Sequence, residues 1–239
     1  MTGAPRNFSP DLYVTDWREA KSHKHDIVTD HGLHQGGLLA IFDYKVIITG
    51  SHPEYWTEHM QNAIKLYLDQ CGRLIYLGGN GFYWVTAVHL GQPHLIEVRR
   101  GYSNSRSWNS HLAELHLAST GEKGGIWRFR GRSLSSLVGV EFAAQGWSKK
   151  AQGYKRLPDS YDLRAAFIFA GVTHEVSGDF GLVMNGAAGD EIDRLDYILG
   201  TPTHAMHLAT TKELQSSFLP YYTRRLVCDR LKCGRYKQL

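Results

Sequence analysis

The chain has 239 residues, of which 42% are hydrophobic, 21% charged and 12% aromatic; this suits a folded globular protein and excludes a collagen, a disordered chain and a disulfide scaffold. Of the net charge of +4, the segment from Lys212 to Leu239 supplies seven basic residues against two acidic ones, so a solvated basic tail is expected there rather than a nucleic-acid arm. No apolar run approaches the roughly 18 residues of a membrane span, no signal-peptide stretch opens the chain, and Cys71, Cys228 and Cys233 form no CxxC pair, so a cytoplasmic protein with reduced thiols is expected.

The first predicted element is a helix over 9–22, with Ser9 as N-cap, Pro10 at the first helical position, Asp11 near the positive end of the dipole, and Leu12, Tyr13, Trp17 and Ala20 on one face. Strands follow at 25–29 (HDIVT) and 44–49 (YKVIIT). The spacing of Met60, Ala63, Ile64, Tyr67, Leu68 and Cys71 predicts a helix over 57–70, with Gly72 placed to cap its end. A third strand, 73–77 (RLIYL), stops at Gly78-Gly79-Asn80-Gly81. The order helix, strand, strand, helix, strand predicts an α/β fold with a mostly parallel sheet flanked by helices. Residues 86–144 are expected to form a β-rich insertion with pieces at 94–98, 126–130 and 137–142. The segment 151–162 reads as a loop, and 165–172 (AAFIFAGV) and 180–184 (FGLVM) read as buried strands. One α/β domain over 1–211, followed by the tail 212–239, is the expected organisation.

Ligands of open parallel sheets bind beyond the carboxyl ends of the strands. The second strand is followed there by Gly50-Ser51-His52-Pro53-Glu54-Tyr55-Trp56, the third by Gly78-Gly79-Asn80-Gly81-Phe82-Tyr83-Trp84, and AAFIFAGV by Thr173-His174-Glu175. Tyr55 and Tyr83 are either aromatics packing loops onto the sheet or phenolate donors, and two Tyr with one Glu would suit ferric iron. His52, beside Glu54 and Tyr55, has the chemistry of an acid, a base or an orienting donor. His23, His25, His31 and His34 flank a predicted strand at opposite ends, which argues against a shared zinc. No G-x-S-x-G elbow and no phosphate loop is present.

These blocks carry a resemblance. GSHPEYW, LGGNGFYW and GDFGLVMNGAAGDEIDR, together with DLYVTDW, IVTDHGLH, IEVRRG, TGEKGGIWR, LVGVEFAAQGW, PDSYDLRAAFIFAGV and LGTPTHA, make the stretch from Pro10 to Thr211 similar to the C-terminal region of the N,N-dimethylformamidase large (beta) subunit family. The resemblance implies a class I glutamine-amidotransferase-like α/β fold. It also implies a mononuclear iron, as Fe3+, held by two Tyr and one Glu, and hydrolysis of the C–N bond of small formamides. Tyr55 and Tyr83 carry over as metal ligands, and Glu175 is the preferred carboxylate, with Glu114, Glu122 and Glu191 as alternatives. His52, Glu54 and Asn80 are then the catalytic candidates. The implied partners are a small amide substrate and a small subunit or a second copy of the chain, with neither nucleic acid nor membrane. Against the longer family chain, a second expectation is a truncated, non-catalytic or degenerate amidotransferase-like binding module. Glu141 places a charge in an apolar strand, which requires exposure or a partner.

Overall fold

Helix α1 (Phe8–Ala20) of the computed structural model begins just ahead of its predicted start; Asn7 precedes it without a side-chain cap, and Ser9 lies in its first turn. The described residues are 7–101, 114–145, 152–181, 186–189, 191–211 and 219–220. The chain divides into two units, Met1–Val138 and Gly139–Leu239. Helix α1 buries none of its residues, so Leu12, Tyr13 and Trp17 are exposed; Asp16, Arg18 and Glu19 leave too narrow an apolar stripe to bury. Residues 23–29 are irregular rather than a strand. Thr29 caps α2 (Asp30–Gly36) instead, its hydroxyl oxygen accepting from the Gly32 N–H at 3.0 Å.

The strands β1 (Val46–Ile48) and β2 (Tyr55–Trp56) precede α3 (Glu58–Asp69). Thr57 caps α3 by accepting from the Met60 N–H at 3.2 Å, and Glu58 lies in the first turn, where the dipole favours it. Met60, Ala63, Ile64 and Tyr67 are buried as the spacing predicts, and they join Leu33, Ile41, Trp56, Phe82 and Leu134 in one apolar cluster. The left-handed residue ending this helix is Cys71, at φ +65°, and not Gly72. Gly72 is needed for another reason: an added Cβ would lie 2.3 Å from the Tyr67 ring, whose hydroxyl donates to the Tyr44 carbonyl at 2.8 Å.

Strand β3 (Arg73–Ile75) pairs parallel with β1, Ile47 opposite Leu74. Strand β4 (Trp84–His89) pairs parallel with β2 and antiparallel with β5 (Gln92–Val98). Glu97 on β5 locks this sheet to the following segment: its carboxylate accepts from Ala118 N, Ser119 N, Ser119 Oγ and Arg99 Nε at 2.7–2.8 Å. Desolvation opposes its ionisation, yet those hydrogen bonds together pull its pKa down to about 2. Residues 127–130 form a 3-10 turn, not a strand. There the Trp127 indole is buried and donates to the Trp56 carbonyl at 2.8 Å. The unit closes with α4 (Ser135–Val138), which takes the start of the strand predicted over 137–142.

The second unit is antiparallel throughout its described strands. Strand β6 (Val140–Gln145) pairs with β9 (Glu191–Leu195) and β11 (Leu219–Pro220), while β7 (Tyr154–Arg156) pairs with β8 (Val176–Ser177) and β10 (Ala209–Thr210). Glu141 is buried and stands opposite Arg194 across β6 and β9, which places an opposite charge beside it. The AAFIFAGV segment is a 3-10 turn over Ala166–Phe169 and not a buried strand. Ala165 and Ala166 donate to the Asp162 carbonyl, and Phe167, at 73% exposure, faces solvent. Phe180 and Gly181 are irregular, and the rest of the FGLVM segment lies outside the described residues, as does the tail 212–239 apart from 219–220. Among the described residues no helix is long and apolar enough to cross a membrane.

Candidate functional site

Two loops interlock at the carboxyl ends of the parallel pair β1 and β3. Pairing continues past the strands, with Thr49 N donating to Ile75 O at 3.0 Å and Leu77 N donating to Thr49 Oγ1 at 3.1 Å. The chains then separate into Gly50-Ser51-His52 and Gly78-Gly79-Asn80. Gly79 adopts φ +65°, and an added Cβ would lie 2.4 Å from the Ser51 carbonyl oxygen and 2.9 Å from Cδ2 of His52. Only glycine allows this approach. Tyr76 fixes the turn from below, donating to Gly79 O at 2.7 Å and accepting from Gly81 N at 3.1 Å.

Phe82 is a buried aromatic residue at φ +49°, a backbone conformation that costs a non-glycine residue roughly 1 kcal/mol or more. Its N–H donates to Pro53 O at 2.7 Å, and its ring centroid lies 3.8 Å from that of Trp56. The Glu54 carbonyl then accepts from both Tyr83 N and Trp84 N, at 2.9 and 2.8 Å. His52, Glu54 and Tyr55 therefore lie on one loop, and Asn80 and Tyr83 on the loop bound to it.

Tyr55 stands opposite Trp84 in the β2–β4 register and is 41% exposed. Tyr83 is 6% exposed, edge-on to the Trp84 ring at 5.0 Å, with the Arg128 guanidinium 5.8 Å from its ring centre. The Oδ1 atom of Asn80 is buried and accepts no hydrogen bond from the described residues. This leaves a buried acceptor without a donor among the described residues.

The carboxylates divide between the units. Glu175 is in the second unit, just ahead of β8, with its side chain 62% exposed and paired to Lys155 Nζ at 2.8 Å. Glu191 is also in the second unit, accepting from Gln145 Nε2 at 3.4 Å. Glu114 and Glu122 share the unit of Tyr55 and Tyr83; Glu114 lies 3.9 Å from Arg99, and Glu122 pairs with Arg130 at 2.8 Å. The histidines of the opening segment have different partners, with the His23 ring 5.8 Å from that of Trp17. His25 Nδ1 meets the His23 carbonyl, His31 meets Gln35, and His34 Nδ1 meets Thr57 Oγ1 at 2.9 Å. Among the described residues no group of three or more His, Cys, Asp or Glu is arranged to hold a metal ion.

Residues 1–232 match the model of a family described as "N,N-dimethylformamidase beta subunit-like, C-terminal". The chain belongs to this family. It is 37% identical over 204 residues to the N,N-dimethylformamidase beta subunit of Paracoccus aminophilus and, to the same extent, to that of an Alcaligenes species. Each match covers 85% of this chain and 26% of the relative, so the chain spans about a quarter of the length of these curated relatives.

Within this dimethylformamidase-like domain, sequence reasoning missed two residues that build the site. Asp11 on α1 accepts from Ser51 N at 2.7 Å and from Ser51 Oγ at 2.9 Å through the same Oδ1 atom. Gly50 makes room for it, since an added Cβ would meet the Asp11 carboxylate at 3.0 Å. The residues are 40 positions apart, and Asp11 by itself reads only as a favourable charge at a helix start. Asp30 lies near enough for the charge of Asp11, after desolvation, to push its carboxyl above the ordinary value.

Proposed function

We propose that the chain is a domain of an iron-dependent amidohydrolase that cleaves the C–N bond of small formamides such as N,N-dimethylformamide, working with a partner subunit. Family membership and the names of the relatives support the substrate class and the subunit role. The observation that carries the reading is the interlock at Gly79, which sets His52 against the loop of Asn80 and its buried acceptor. The parallel pairs β1–β3 and β2–β4 support an amidotransferase-like α/β fold for the first unit.

Two phenol oxygens and a carboxylate form a hard, oxygen-only donor set that fits ferric iron. Tyr55 and Tyr83 would hold the ion, with the carboxylate supplied by Glu114 or Glu122 of the same unit; Glu175, the expectation from sequence, and Glu191 belong to the second unit. When bound, the iron would supply Lewis acidity towards the amide carbonyl or a water. His52 would take a proton from the attacking water and return it to the amide nitrogen as the C–N bond breaks, giving formate and an amine. Asn80 Oδ1 would accept the other O–H of that water and fix its approach. Glu54, two residues on, would favour the protonated imidazole electrostatically.

Iron content, the visible spectrum and formate release of the purified chain test this reading, with Tyr55→Phe as comparison. Stoichiometric iron with a tyrosinate absorption band that disappears in the variant is expected, as is a loss of formate release of at least tenfold. A chain that takes up no iron on reconstitution would refute the metal assignment, and iron retained unchanged in the variant would remove Tyr55 from it.

A further inference from the structure

We propose that Asp11 is a positioning residue for His52, acting through the Ser51 hydroxyl to hold the imidazole with its proton on Nδ1. The argument is one of counting protons. Ser51 Oγ has a single proton, and at 2.9 Å from Asp11 Oδ1 that proton is donated to the carboxylate. The backbone N–H of Ser51 reaches the same oxygen at 2.7 Å, so hydroxyl and backbone are fixed by one acceptor. The nitrogen of His52 facing this hydroxyl is Nδ1, at 3.5 Å from Ser51 Oγ, the outer edge of hydrogen-bonding range. With its proton committed to Asp11, Ser51 Oγ offers Nδ1 only lone pairs, so Nδ1 must be the donor.

The Nδ1–H tautomer makes Nε2 the basic nitrogen of the ring. A further contact restricts the ring: Cγ and Cδ2 of His52 pack on Gly79, with no space for even a Cβ between them. The order is carboxylate, hydroxyl, imidazole, with the hydroxyl passing on a constraint and no proton moving in the resting state. Helix α1, which buries none of its residues, thus reaches the candidate site through one carboxylate. The catalytic consequence rests on His52 being the base of the proposed hydrolysis; the tautomer itself does not.

The test reads the tautomer directly, by nitrogen-15 NMR of the histidine rings in the full chain without added metal, His52→Gln identifying the signals. In the unaltered chain the neutral His52 ring is expected with its proton on Nδ1. Asp11→Asn, whose amide oxygen can accept the same two donors, should retain this form. Asp11→Ala frees the Ser51 hydroxyl to donate to the ring, and Ser51→Ala removes the acceptor, so both should lose the Nδ1–H form in favour of Nε2–H. A His52 ring that carries its proton on Nε2 in the unaltered chain overturns the proposal. So does an Asp11→Ala chain that keeps the other histidine signals in place and still holds the proton on Nδ1. Should Asp11→Ala fail to fold, Ser51→Ala decides by the same readout. The measurement needs neither iron nor turnover, so a failed hydrolase reading and a failed positioning reading give separate results.

Discussion

The two units use similar composition to different ends. In the first, parallel pairs bring loops from distant parts of the chain into contact, and the contacts are closed by glycine, by buried indoles and by a carboxylate with four donors. In the second, the described strands pair only antiparallel, and large apolar side chains such as Leu163, Phe167, Ile168 and Ile198 face solvent, as Leu39 and Leu90 do in the first. The lesson is that parallel pairing creates the loop junction, while the antiparallel unit offers no comparable meeting of strand ends.

Substitutions can sharpen this contrast. The largest effect is expected for Gly79→Ala, where a positive φ and a 2.4 Å approach to the Ser51 carbonyl leave no room; a loss of about 3–4 kcal/mol in denaturant unfolding is expected. Glu97→Gln should follow closely. Its side chain is 15% exposed, and a pKa of about 2 against an ordinary 4.5 corresponds to about 3 kcal/mol. Because the folded value is depressed, that stability is present above pH 4.5 and is lost as pH falls from there towards 2. Unfolding curves across this interval should show the slope in the unaltered chain and much less of it in the variant.

Thr57→Ala removes the cap of α3 and the partner of His34, and about 1 kcal/mol should be lost, visible as a lower urea midpoint. The smallest effect is expected in the second unit, where Phe167→Ser should change stability by less than about 0.5 kcal/mol because the ring is already solvated. A cost near 2 kcal/mol at Phe167 would break the contrast, since that ring would then be covered in the functioning protein.

The sequence made local features legible and left long-range ones obscure. Met60, Ala63, Ile64 and Tyr67 could be read because their spacing is the helix period itself. AAFIFAGV could not, because a short apolar run carries no period, and the Asp162 carbonyl that turns it into a 3-10 segment lies just outside it. The glycines beside Asn80 were legible as a turn, but not as the surface on which His52 rests. Asp11 and Ser51 meet across 40 residues, where no local pattern connects them.

The bond from the Trp127 indole to the Trp56 carbonyl spans 71 residues and has a consequence for synthesis. At about 5–20 residues per second, a ribosome needs roughly 4–14 seconds to travel that distance. Trp56 is made at the start of this interval and Phe82 26 residues later, both ahead of the indole that closes the bond. The nascent chain therefore holds the Trp56 carbonyl without this donor until residue 127 arrives, and chaperone capture during translation should outlast that point.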